Sequence, residues 1–238
     1  ENKYTPDQSV VYGLKARAYL TMEDWANAVK YAKLAQSGYT SMTEAEYLSQ
    51  TTGFNTPNSS WMFGCTYKST DPNILLNDAD SSWGSQMIVE VSGSGCGYSS
   101  NYVGPKRIDY HLFSTIGKND FRRKCFVDFA IDDLSSPSEI IESLRTYSDD
   151  PEGLYTTGYE VAASECVGGI SVKFRPNGGE HKNQYTAFTV AVPLMRVEEM
   201  QLIEIEATGM QSQSEGINML NEWVKQRDPD YNFTTETP

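Results

Sequence analysis

The residues of this chain whose setting could do chemistry are aromatics embedded in polar sequence. Trp83 lies in Asp80-Ser81-Ser82-Trp83-Gly84-Ser85, with little apolar company nearby. A Trp in such a loop either meets a ligand or covers an edge of the core. Exposed aromatic surface marks binding sites more often than average surface does. Tyr98 and Tyr102 flank Ser99-Ser100-Asn101 after a Gly-rich turn, so two rings and an amide could form an aromatic–polar–aromatic platform. Trp83, Tyr98, Asn101 and Tyr102 are therefore the candidate ligand contacts. Trp61, beside Met62 and Phe63, reads as core, and Trp25 and Trp223 lie on packed helix faces.

Other chemistries fit less well. Gly93-Ser94-Gly95-Cys96-Gly97 follows a strand-like run. A dinucleotide loop would need its third Gly at Tyr98, and a phosphate loop would need a Lys-Ser/Thr pair, so a flexible turn is expected. No nucleophile elbow is present, and His111 and His181 have no triad context. The cysteines Cys65, Cys96, Cys125 and Cys166 are widely spaced, with no C-x-x-C pair and no His at ligand spacing. No zinc, other metal or cofactor is expected. Two disulfides and four buried thiols remain alternatives. Asn77, Asp78 and Asp80 lack the spacing of a calcium loop. Asp132-Asp133 and Asp149-Asp150 read as solvated loop pairs. A glycoside hydrolase would need two acids flanking a cleft.

Composition narrows the partners. Lys and Arg number 19 against 32 Asp and Glu, a net charge of −13. That argues against a nucleic-acid reader, which runs on cationic surface, and against a basic face on anionic lipid. Tyr is abundant at 15, with 4 Trp. Acidic, aromatic-rich chains with much Ser, Thr, Asn and Gly are frequent among carbohydrate-facing secreted proteins. No run approaches the roughly 20 apolar residues of a membrane span. The chain starts at Glu1 in a polar lead-in without a signal-peptide pattern, as a processed or trimmed chain would.

Two helical hairpins must position these residues. The first covers Pro6 to Ser37. Asp24 is the expected N-cap of its second helix and Gly38 its C-terminal stop. Ala16, Tyr19, Trp25, Ala28 and Ala35 have tetratricopeptide-like spacing, with Glu23 at the inter-helix turn where Gly is usual. The second hairpin covers Val192 to Arg227. Pro193 is expected to open it, Gly209 to stop its first helix, and Ser214 to cap the next. Its first helix is apolar almost all round yet carries Glu198, Glu199, Glu204 and Glu206, with Arg196 in reach of Glu199. A core helix with one wet edge is the main reading, and a carboxylate site the other. Between the hairpins, Trp61–Phe63, Met87–Val91, Cys125–Ile131 and Ile170–Phe174 read as strands. Ile108–Ile116 reads as a helix, and Asp120 as the cap of a short turn. The expected class is mainly α with a small irregular β insertion (α+β). A single domain is expected, with a repeat-like hairpin over 1–39, an insertion over 40–191, and a second hairpin and tail over 192–238.

Three stretches, taken in order, resemble the SusD/RagB family. Leu14–Tyr39 is similar to its repeat-like helix pair ending in Ser-Gly-Tyr. Asn119-Asp120-Phe121-Arg122-Arg123 is similar to its Asp-Pro-Arg segment, with Phe121 in place of Pro. Arg196, Glu199, Leu202, Glu206, Ala207, Leu220 and Asn221 match its Pro-x-x-Arg-x-x-Glu signature in order, with Gly216 where Ala is common. Family members are longer, so the resemblance implies a central portion or a reduced relative. It implies a SusD-like fold and a binding protein, not an enzyme. Such proteins sit at the outer-membrane surface, through a lipid anchor not present in this chain. They capture glycan for a SusC-like TonB-dependent transporter, and some members take peptides. Sugar rings offer flat C–H faces to Trp and Tyr, and hydroxyls to Asn, Asp, Arg and Gln. A helical-repeat interaction module without a small ligand is the alternative.

Overall fold

The structure is a computed structural model, and it describes residues 3–49, 51–71, 82–89, 106–134, 136, 138–139, 142, 168–180 and 183–234. Among these residues the elements run α1 (Gln8–Thr21), α2 (Trp25–Gln36), α3 (Glu44–Leu48), β1 (Trp61–Cys65), α4 (Trp83–Met87), α5 (Tyr110–Thr115), α6 (Gln184–Ala187), β2 (Val192–Arg196), α7 (Val197–Gln211) and α8 (Gln213–Lys225). The fold is mainly helical with one two-stranded sheet. Two compact units divide the chain. The first comprises Glu1–Thr43, Pro57–Cys65 and Val192–Pro238, and the second Glu44–Thr56 and Thr66–Ala191.

In the first unit, α1 begins where the Asp7 carboxylate accepts the Val10 N–H at 3.1 Å. Burial works against the Asp7 charge, but hydrogen bonds from Ser9, Val10 and Tyr39 outweigh it and hold the carboxyl below its ordinary range. Asp24 caps α2 in the same way through Asn27 N–H, at 3.2 Å. Glu23, at the turn, takes φ 59°, the left-handed conformation that favours Gly. Ala16, Ala28, Ala32 and Ala35 are completely buried, which lets the helices approach closely. Val197, Met200, Ile203 and Ala207 of α7 pack into the same core, with Trp25 and Val29 partly buried against it.

Three expectations for the second hairpin need correction. Pro193 does not open a helix. It lies in β2, paired antiparallel with β1 in the register Trp61↔Arg196, Gly64↔Pro193 and Cys65↔Val192. Each strand of a two-stranded sheet is an edge, where a residue without an N–H is tolerated. Gly209 does not stop α7, which continues to Gln211. Ser214 lies inside α8, and Ser212 is the single residue between the two helices, with no side-chain cap. The helices stay so close because Gly209 and Gly216 face each other. A Cβ on Gly216 would run into the Gly209 backbone, 2.8 Å from its nitrogen, which is why Ala does not stand there.

The second unit is built from short helices and turns. Cys125–Ile131 is not a strand. It forms two 3-10 turns, Phe121–Cys125 and Phe129–Asp133, around one bridge, Phe126↔Ser171. Asp120 caps the first turn as expected, accepting Arg122 N–H at 2.9 Å. Ile170–Phe174 contributes only the bridges at Ile170 and Ser171. Met87 ends α4 instead of starting a strand, and Ile88 and Val89 follow as irregular core backbone. The expected helix after Ile108 is α5, started by Asp109 accepting His111 and Leu112 N–H.

The glycine pair gives a paired prediction. Gly216→Ala should lower stability by about 1–3 kcal/mol, because the overpacked methyl meets backbone. A methyl on Gly209 would lie an ordinary 3.7 Å from Gly216 Cα. Gly209→Ala should therefore gain up to about 1 kcal/mol from helix propensity. Urea denaturation of both variants reads the difference, and equal effects would contradict the packing.

Candidate functional site

Trp83 opens α4, and the backbone beneath it is fixed. Ser82 Oγ accepts the Ser85 N–H at 3.1 Å, and Ser85 Oγ donates back to the Ser82 carbonyl at 3.0 Å. Both serines are fully buried. Gly84 lies against Phe188, where a Cβ would be 2.6 Å from the Phe188 carbonyl oxygen. The indole is half-buried and packs on the cluster of Ile88, Ala187, Phe188 and Val190. Trp83 thus covers an edge of this core while part of its surface meets solvent.

A ladder of edge-to-face rings sets the indole's direction. Trp83 meets Phe174 at 4.8 Å and 83°. Phe174 meets Phe54 at 6.1 Å, and Phe54 meets Tyr47 at 4.5 Å and 86°. Tyr47 in turn meets Phe121 at 5.1 Å. Each such pair contributes about 0.5–1.5 kcal/mol beyond area burial. Lys173 Nζ lies 4.1 Å from the Phe54 ring centre and 5.7 Å from that of Phe174. The strip carrying these rings is held by Asn55. Its Nδ2 donates to the Arg175 carbonyl and its Oδ1 accepts the Arg175 N–H at 3.0 Å, imitating a strand pair. Phe121, where the resembling segment usually has Pro, is the inner end of the ladder. Beside it, buried Asp120 takes a two-point hydrogen bond from Arg122, with Nη2–Oδ2 at 2.6 Å.

Tyr98, Asn101 and Tyr102 lie outside the described residues, as do the Gly93–Gly97 turn, Asn77, Asp78 and Asp80. The sequence reading missed a second exposed aromatic, Tyr110 on α5. The residue is 57% exposed, and its ring stands edge-to-face on Phe129 at 5.0 Å. Asp109 just before it, a helix-capping residue in polar sequence, was the available signal. Trp61 is fully buried, and Trp25 and Trp223 are half-buried on their helices.

The carboxylates of α7 are engaged in structure. Arg196 pairs with Glu198 at 2.6 Å, not with Glu199 as expected. Glu199 is instead gripped by Arg17 through Nε at 2.5 Å and Nη2 at 2.7 Å. Glu204 accepts from Gln36 at 2.6 Å. Among the described residues no group of three or more His, Cys, Asp or Glu could hold a metal. Cys65 is an exposed free thiol and Cys125 a buried one. Burial pushes the Cys125 thiol up, against the pull of Lys173 and Arg175, so it stays protonated and unreactive at neutral pH.

No family model and no curated protein matches the chain. Solved structures do. A SusD-like carbohydrate-binding protein from Bacteroides vulgatus aligns over 99% of this chain and 40% of its own, with TM-score 0.65 and 22% identity. A SusD superfamily protein from the same species aligns over 98% of this chain and 44% of its own, with TM-score 0.61 and 16% identity. Surface glycan-binding protein A from Bacteroides thetaiotaomicron, solved in complex with laminarihexaose, aligns over 95% of this chain and 48% of its own, with TM-score 0.55 and 14% identity. The fold is therefore SusD-like, and the chain spans less than half the length of these solved relatives.

The ladder predicts a measurable coupling. Phe174→Ala should lower stability by about 0.5–3 kcal/mol and leave the Trp83 indole wetter, with red-shifted emission. Unchanged emission together with unchanged stability would contradict the ladder.

Proposed function

We propose that this chain captures oligosaccharide at the cell surface, as a lipid-anchored outer-membrane protein in its full-length form, for a SusC-like TonB-dependent transporter. It does so as a binding protein without catalysis. The observation that carries the reading is the SusD-like fold, matched over 99% of the chain by a carbohydrate-binding protein. The solved relative holding laminarihexaose supports a glucan-type ligand. Chemistry agrees. A net charge of −13 disfavours anionic ligands, while a fixed, half-buried indole offers its ring face to the C–H face of a neutral sugar ring.

In this reading Trp83 supplies the stacking surface, with Tyr98, Asn101 and Tyr102 as further contacts from the same stretch of chain. The aromatic ladder serves the ligand by holding the indole before it arrives, which lowers the ordering cost of binding. An interaction-module reading rests on α1, which exposes Val11 and Leu14 on its outer side, 46% and 53% open. That reading expects no response to any oligosaccharide.

Tryptophan fluorescence during titration with laminarihexaose and a panel of other neutral oligosaccharides tests the site. A saturable shift in the wild type that disappears in Trp83→Ala is expected, with both proteins shown folded by circular dichroism. A shift that persists in Trp83→Ala would remove Trp83 from the site. Silence in the wild type across the panel would overturn glycan capture.

A further inference from the structure

Within the first unit, α7, α8 and the C-terminal end of α2 line an open groove of about 430 Å³, in the roughly 300–1,000 Å³ range of small-molecule sites. The close Gly209–Gly216 approach pins one end of the helix pair. Trp223, Met219 and Ile205 form its apolar lining. Trp223 is held in one orientation from two sides. Its Nε1 donates to Gln201 Oε1 at 2.8 Å, and the Arg227 guanidinium lies 3.6 Å from its ring centre. Arg227 is itself anchored on the Trp223 carbonyl at 2.7 Å.

The polar lining is equally specific. Gln201 Oε1 also accepts from Ser41 Oγ at 2.8 Å, which fixes the amide and leaves its NH2 without a partner among the described residues. Asn218 and Gln226 add two more amides, and Glu222 a carboxylate whose Oε1 also lies 3.7 Å from Lys225 Nζ. The lining contains no Lys or Arg, so a phosphate, sulfate or carboxylate ligand is disfavoured. The other carboxylate, Glu204, is already occupied by Gln36 at 2.6 Å and faces Lys33 at 3.6 Å. The groove therefore does not present the bare anionic wall that a cationic peptide would need. Amides both donate and accept, and a carboxylate accepts from two hydroxyls. A polyol matches that set, and an oriented indole beside Met219 matches the flat face of a sugar ring.

We propose that this groove is a second oligosaccharide subsite, for an uncharged glycan, with Trp223 and Met219 against the ring and Gln201, Asn218, Glu222 and Gln226 on its hydroxyls. It lies on helices of the first unit and stands on its own observations, apart from the Trp83 site.

The four indole N–H resonances of the whole 15N-labelled chain separate the two sites, once assigned with Trp223→Phe and Trp83→Phe. Laminarihexaose and malto-, cello- and xylo-oligosaccharides are the probes. Saturable movement of the Trp223 resonance is expected, with buried Trp61 still. The surface variant Asn218→Ala/Gln226→Ala should weaken that response by about tenfold or more and leave the Trp83 resonance as in the wild type. If Trp83 moves and Trp223 does not, the groove is not a glycan site and the Trp83 site stands. If Trp223 moves equally in the double variant, the contact lies outside the groove and the subsite fails. Movement of Trp223 only with a peptide such as oligolysine would make the groove a peptide site and overturn the proposal. If neither resonance moves with any sugar, both sites fail.

Discussion

The first unit hangs on one buried carboxylate. Glu198, in the first turn of α7, is 6% exposed, yet its Oε1 lies 2.6 Å from Arg196 Nη2 and accepts the Met42 N–H at 2.8 Å. Arg196 Nε reaches Ser60 Oγ at 3.3 Å, and the Val197 N–H donates to the Ser60 carbonyl at 2.9 Å. One ion pair thus joins the entry to β1, the end of β2, the start of α7 and the chain after α2. A buried pair recovers its desolvation cost only when hydrogen bonds complete it, and losing one partner costs about 3–5 kcal/mol. The helix N-terminus adds favourable field for both Glu198 and Glu199. Glu199, one residue on, turns to Arg17 on α1, so two consecutive carboxylates fasten α7 to different neighbours.

That arrangement explains what sequence could and could not show. The α1–α2 hairpin was legible because its information is local: apolar spacing, Asp24 as a cap, Gly38 after the end. Glu23 was visible as a departure from the usual turn Gly, and its φ of 59° shows what the departure does to the backbone. The second hairpin misled at three places where distant contacts decide. Residues 192–196 are extended because Trp61–Cys65 pairs with them, and nothing local in Val-Pro-Leu-Met-Arg says so. Gly209 stays helical because Gly216 packs on it. Arg196 meets Glu198 at a corner where the Met42 N–H and Ser60 Oγ also hold the two side chains. The apolar run Cys125–Ile131 looked like a strand, but apolar runs carry no period that separates strand from buried turn.

For the candidate site, the polar setting of Trp83 was readable and its support was not. Phe54, Phe174 and Lys173 come from segments far apart in the chain, and only the fold brings them into one ladder. Trp223 reads from sequence as a packed helix residue, and Gln201 and Arg227 do hold its indole in place.

Glycan capture is tested most directly by native affinity electrophoresis of the chain through gels cast with neutral polysaccharides, laminarin first, beside gels without polysaccharide. Retardation in at least one polysaccharide gel, relieved by the matching free oligosaccharide, is the expected result. Unchanged mobility in every gel, together with clear binding of peptides by the same folded protein, would contradict it.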